Sequence, residues 1–248
     1  MDLSDATRSE IVAHYRTHEA TYQRIWGQLD TIRERFKKAD RETKKDYLKL
    51  SYVNSVISVQ TPLHIHEEAF RRILSGDGLE RALERVNYNG QKKKYLSQCL
   101  QEPDIWETLV TDYNERGLDT MHKTAIDRLK FVGTVKVPFM LANLGFTEKM
   151  CLDANVCRIM GIDSQPTTVV VDRYESLCTD VCDLFPVLEV ELDPYHLQWV
   201  LFDYQRFNRT NMDPDTANRL DVETQVAHHE AWFDGALMSE PELNMLFE

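Results

Sequence analysis

Leu129-Lys130-Phe131-Val132-Gly133-Thr134-Val135-Lys136 runs into the apolar stretch Val137 to Leu144, and Met150-Cys151-Leu152-Asp153-Ala154-Asn155-Val156-Cys157-Arg158-Ile159 follows shortly after. One glycine between two apolar periodic segments reads as a tight turn joining two helices into a hairpin. The amides at the start of the second helix have no partner within it, so they can face a phosphate. Lys136 lies among Val135, Val137 and Phe139, where desolvation would disfavour its charged form and make a neutral amine available as a nucleophile. Asp153 opens the next apolar segment and is a candidate carboxylate in a partly dry cleft. Plainer roles remain open for both: Lys136 as a snorkelling side chain at a helix start, and Asp153 as an N-cap on the amides of Asn155 or Val156.

Outward from the hairpin, helical spacing dominates. Ile11, Tyr15, His18, Tyr22, Ile25, Leu29, Ile32 and Phe36 alternate four and three residues apart, which sets them on one stripe of a helix over residues 5–38. The stripe packs on its own chain as a monomer or, alternatively, seams a dimer. A second helix spans 41–59 and is stopped by Pro62. Further helices are expected at 63–74, 78–86, 91–101, 104–115, 119–130, 172–184, 194–208 and near 216–232, with a weakly ordered end. Thr167 to Val171 is β-branched throughout and reads as a strand or equally as an extended loop entering a helix. The expected class is all-α.

The chain has 248 residues, 42% of them apolar, enough for one large or two small cores. Its longest nearly apolar run, Val137 to Phe146, holds Pro138 and Asn143 and is far short of the roughly 20 residues needed to cross a bilayer. The first twenty residues carry charges and no apolar stretch, unlike a secretory signal. Five cysteines without a metal-ligand rhythm suit reduced thiols, so a cytoplasmic location is expected and no membrane partner.

The net charge of −12 is unevenly distributed. Residues 163–248 hold 4 Arg, no Lys and 18 acidic side chains, whereas residues 1–162 are close to neutral. Basic clusters at Arg33 to Lys38, Lys44-Lys45 and Lys92-Lys93-Lys94 therefore permit an anionic partner that the overall charge conceals. His64-Ile65-His66 points its two rings to different helix faces, so at least one is ordinary. His228-His229-Glu230 and the Cys178, Cys182 pair lack the spacing of metal sites.

The stretch from Leu129 to Ile159 resembles the helix-hairpin-helix DNA glycosylase superfamily, in its endonuclease III-like form. Members carry a lysine at the hairpin exit and an aspartate in a D-x-[HN]-V motif. This chain has Lys136 and, seventeen residues on, Asp153 with Asn155 and Val156. Val56-Ile57-Ser58-Val59-Gln60-Thr61 is similar to the family segment whose glutamine wedges into the duplex. Tyr88-Asn89-Gly90-Gln91-Lys92-Lys93 is similar to the family's Tyr-Asn-x-x-K-A turn, and His196-Leu197-Gln198-Trp199 to a late helix. The likeness covers roughly residues 46–206. Of the family's L-P-G-[VI]-G turn only Gly133 survives, and no cysteine follows Cys182.

The resemblance implies a two-lobed fold: residues 46–145 as a six-helix barrel lobe with the hairpin at about 125–145, and residues 1–45 with 146–248 as a second helical lobe. It implies double-stranded DNA with a flipped nucleotide as partner, Lys136 and Asp153 as catalytic residues, and Gln60, Tyr88, Asn89, Lys92, Lys93, Gly133, Val135 and Asn155 as DNA contacts. No cofactor, and specifically no iron–sulfur cluster, is expected. Three activities are compatible: a base-excision glycosylase with lyase activity, an enzyme of the same scaffold that modifies thymine-derived bases, or a DNA-binding relative without chemistry. The second rests on a G-x-V-K-x-x-F and C-L-D-x-N pattern matched by Gly133, Val135, Lys136, Phe139, Cys151, Leu152, Asp153 and Asn155.

Overall fold

A computed structural model describes residues 3–161, 166–189, 192–207 and 230–246. Every regular element among these residues is a helix. The first, α1 (Asp5–Lys38), starts where the Ser4 hydroxyl accepts from the Thr7 amide and ends at an extended Ala39. Its stripe is buried within the chain, with Trp26 added to the expected set and His18 left half-buried.

α2 (Arg41–Ser58) is capped by Asp40, whose carboxylate accepts from the Thr43 amide at 2.8 Å. It is buried on nearly every side, because α3 (Leu63–Leu74), α5 (Asn89–Leu100), α6 (Pro103–Arg116) and α8 (Gly133–Asn143) all pack on it. Small polar side chains let α8 come close: Ser51 donates its hydroxyl to the Met140 carbonyl. The short α4 (Gly78–Ala82) stops before the expected 86, and α7 (Leu118–Arg128) leads into the hairpin.

After α8 the chain passes α1 at Gly145, whose φ is +80° and where a Cβ would collide with the Leu29 carbonyl and the Arg33 side chain. Only glycine suits both the conformation and the space. Three helices then follow the short α9 (Ala154–Ile159): α10 (Pro166–Asp183), α11 (Pro186–Glu189) and α12 (Pro194–Phe207). α12 lies on α1 and α9, and Tyr22 donates to the buried Asp203 carboxylate at 2.8 Å.

One expectation is corrected. Thr167 to Val171 is neither strand nor loop but lies in the first turns of α10, which begins at Pro166. Proline is favoured at a helix start, and β-branched residues lose only a few tenths of a kcal/mol of helix propensity, about what packing readily overrides. Towards the chain end, residues 230–236 are helical and α13 spans Glu240–Met245. Trp232 donates its indole N–H to the Asn143 carbonyl at 3.0 Å and packs on Phe70, while Gly235 sits against Leu74. The acidic segment thus returns to α2, α3 and α8. Most of the helix expected near 216–232, and His228 and His229 with it, lies outside the described residues. No helix among the described residues is long and apolar enough to cross a membrane.

Candidate active site

The hairpin turn is held from below. Tyr52 of α2 donates its hydroxyl to the Lys130 carbonyl at 3.0 Å, and the rings of Phe131 and Tyr95 lie 5.7 Å apart. Two turn residues have left-handed backbones, Gly133 at φ +51° and Phe131 at φ +72°. Phe131 takes this positive φ without being a glycine, at a cost of roughly 1–2 kcal/mol that its packing offsets. Lys136 donates its amide to the Val132 carbonyl, so the amides of Gly133, Thr134 and Val135 precede the first intrahelical bond. Val132 cannot cap them with its side chain. They remain donors for an anion.

Within the first turn of α8, the half-buried Lys136 places its ammonium 4.7 Å from the centre of the Phe139 ring. Its charge reaches Asp153 and Cys151. Asp153 is the N-cap of α9: through Oδ1 it accepts from the Asn155 amide at 2.9 Å and the Val156 amide at 3.0 Å. The plain capping role is therefore real. It does not exhaust the group, because burial raises the carboxyl pKa above its ordinary value even though Lys136, both amides and the Asn155 side chain all pull it down. The half-buried carboxyl thus has a lysine in Coulomb range, with no ion pair joining the two.

The surrounding thiols are quieter. Burial pushes Cys151 up to about 12 and Cys157 up to about 11, so both stay protonated at neutral pH. Among the described residues no group of three or more His, Cys, Asp or Glu side chains is placed to hold a metal ion.

A second corner carries Gln60. It is exposed with φ +51°, and its carbonyl accepts from the Asn87 side chain at 2.6 Å. Beside it Tyr88, at φ +56°, leaves 55% of its surface in solvent. Two strained residues, one exposed and aromatic, sit together at the ends of α2 and α5. Asn89 is also exposed, its side chain donating to the Glu84 carbonyl at 3.3 Å.

The basic clusters are largely absorbed by the fold. Lys92, expected to contact DNA, is fully buried, and its ammonium donates to the carbonyls of Ile57 and Val59 and to the Thr61 hydroxyl. It cannot reach a phosphate without leaving three acceptors bare. Lys93, also expected there, is ion-paired with Glu80. Lys44 is buried beside Asn114, and Lys45 pairs with Glu42 and Glu107. Arg128 and Lys130, absent from the basic clusters read from the sequence, are exposed at the hairpin. Their position on either side of its first turn residue was the available signal. His66 is the ordinary histidine of its pair, buried and bonded to Asn54 at 2.7 Å, while His64 is exposed.

No protein-family model matches the chain, and neither a curated protein nor a solved structure does. The site's chemistry must therefore be read from its own residues. Lys136, Asp153 and Asn155 come together, with Gly133 and Val135 at the start of the helix that carries Lys136. Gln60, Tyr88 and Asn89 form the other corner, and the Phe131 ring is tilted against Tyr95 and lies 6.0 Å from the Lys92 ammonium.

Proposed function

We propose that the chain acts on a nucleotide turned out of a DNA duplex, as an N-glycosylase with associated lyase activity, with Asp153 and Lys136 as the reacting pair. The observation that carries this reading is the half-buried Asp153 carboxyl, raised by burial and within the field of Lys136. Cleavage of an N-glycosidic bond builds positive charge on the deoxyribose, and a desolvated carboxylate stabilises that charge far better than one in water. The departing base takes the bonding electron pair. The Lys136 amine then forms a bond to the same sugar carbon, and loss of the ring oxygen's bond gives a Schiff base. β-Elimination from it breaks the 3′ carbon–oxygen bond and cuts the strand.

The outer parts of the reading follow from the same geometry. Uncapped amides of Gly133, Thr134 and Val135 suit a backbone phosphate, with Arg128 and Lys130 adding exposed positive charge. Gln60 and Tyr88 suit the space a flipped base leaves, since unstacking costs a few kcal/mol that an inserted side chain offsets.

One observation favours a second reading, a base-modifying enzyme on this scaffold. Phe139 and Cys151, which belong to that pattern and not to the glycosylase motif, are the residues in contact with or in the field of Lys136. One experiment separates the two. Wild-type protein is incubated with a duplex carrying an abasic site and with borohydride, and in parallel with duplexes bearing hydroxymethylated or otherwise activated thymine bases. A reduced protein–DNA adduct with strand cleavage supports the glycosylase. A mass change on the base with an intact strand supports the modifying enzyme, and binding without either product removes both.

A further inference from the structure

We propose that Lys92 is a positioning residue whose ammonium locks Gln60 rigidly in place beside Tyr88. Its ammonium has three N–H donors, and the fold gives it three acceptors: the Ile57 carbonyl at 2.9 Å, the Val59 carbonyl at 2.6 Å and the Thr61 hydroxyl at 2.8 Å. These flank Gln60 on both sides. The last carbonyls of a helix have no intrahelical partner. Here a buried cation takes the place that water or a C-terminal cap fills elsewhere.

Tyr88 itself is held through the main chain. The Lys92 amide donates to the Tyr88 carbonyl at 3.0 Å, closing the first turn of α5 over a residue with φ +56°. Asn87 adds a direct tie from this corner to the Gln60 carbonyl at 2.6 Å. Positive φ at a non-glycine residue persists only where surrounding contacts over-determine it. At Gln60 those contacts are the ones Lys92 and Asn87 make. The exposed neighbours along α5 are occupied elsewhere, Lys93 with Glu80 and Lys94 over the Tyr95 ring. From α8 the charged group acting on Lys92 is Lys136, and burial together with that repulsion holds Lys92 down to about 8. The positioning of Gln60 is therefore electrostatically connected to the reacting lysine.

The use of this corner on DNA rests on the function proposed above; the lock itself does not. The test accordingly has a DNA-free arm and a DNA arm. Amide hydrogen exchange of the free protein is compared for wild type, Lys92→Met and Thr61→Val. Methionine keeps most of the apolar stem and removes the three ammonium donors, while the residue-92 amide and its bond to the Tyr88 carbonyl remain. Exchange at Val59 and Thr61 should accelerate at least tenfold in Lys92→Met and by less in Thr61→Val, which removes one acceptor and keeps the fold if the first variant does not. Unchanged exchange in both overturns the lock.

In the DNA arm, extrusion is read from 2-aminopurine fluorescence in a duplex whose abasic analogue lies beside the probe. Gln60→Ala and Lys92→Met should each lower the signal several-fold, and the double variant should fall no further than Gln60→Ala alone. Additive losses would mean that Lys92 supports the fold generally and does not act through Gln60, which overturns the proposal. If wild type gives no signal, the DNA reading fails while the exchange result still decides the lock.

Discussion

The buried Lys92 and the half-buried Lys136 lie within each other's electrostatic reach, and their surroundings are built on opposite principles. At the end of α2, Lys92 has three donors and three acceptors, all protein atoms, so nothing is left over. At the start of α8, Lys136 lies over an aromatic face with Asp153 in its field but with no ion pair between them. Saturated polar groups rigidify a fold. Polar groups held in a partly desolvated place without saturation are what chemistry requires. The contrast between the two lysines is the basis on which Lys136, and not Lys92, is proposed as the reacting amine.

The largest effect should come from Asp153. Asp153→Asn keeps an oxygen for the Asn155 and Val156 amides and removes the charge, so base excision should fall by about three orders of magnitude. Stability should move the other way. A carboxyl raised by burial favours the fold below its ordinary pKa and loses that advantage as pH climbs through the raised value, so at neutral pH the charge is a cost. Thermal melts of Asp153→Asn should match wild type or gain roughly 1 kcal/mol. A variant that loses activity and stability together would return Asp153 to the role of a simple cap.

The contrasting expectation for Lys92→Met is a loss of about 2 kcal/mol, because two buried carbonyls lose their donor. Its pH dependence has a definite sign. Lys92 is lowered to about 8 in the fold, so between about 8 and the ordinary lysine value the unfolded chain binds more protons and wild-type stability rises with pH. Denaturant melts at pH 7 and 9.5 should show the gap between wild type and Lys92→Met widening at the higher pH. A gap that narrows would mean the ammonium is stabilised, not strained, by its burial.

Smaller still are the surface charges. Arg128→Ala with Lys130→Ala should weaken duplex binding and reduce its salt slope by about one to two. Lys93→Ala and Lys45→Ala, whose charges are already paired with Glu80 and with Glu42 and Glu107, should change binding less than twofold by fluorescence anisotropy. The reverse ranking would relocate the nucleic-acid face away from the hairpin.

Much of this was legible in the residues. The alternating stripe from Ile11 to Phe36 defined α1 because a helix of that length averages out local preferences, and Gly133 marked the turn because few residues tolerate a positive φ. Asp153 before Ala154 was legible as a cap. What stayed hidden depends on distant partners. Lys92-Lys93-Lys94 reads as a uniform charged run, and only the return of the α2 end over α5 turns its first member inward. Phe131 gave no sign of a left-handed backbone, since the contacts that hold it come from Tyr95 and from Tyr52 through Lys130. Trp232 and Phe233 sit in an acidic stretch whose average polarity masks the core residues within it.

The central claim is that Lys136 is the amine and Asp153 its carboxylate, and mass mapping of the borohydride-reduced adduct on abasic duplex DNA tests it most directly. The account expects the reduced sugar on the peptide that contains Lys136, and none after Lys136→Gln in a protein that still folds. An adduct on Lys130, Lys149 or Lys92, or trapping that survives in Lys136→Gln, would contradict it.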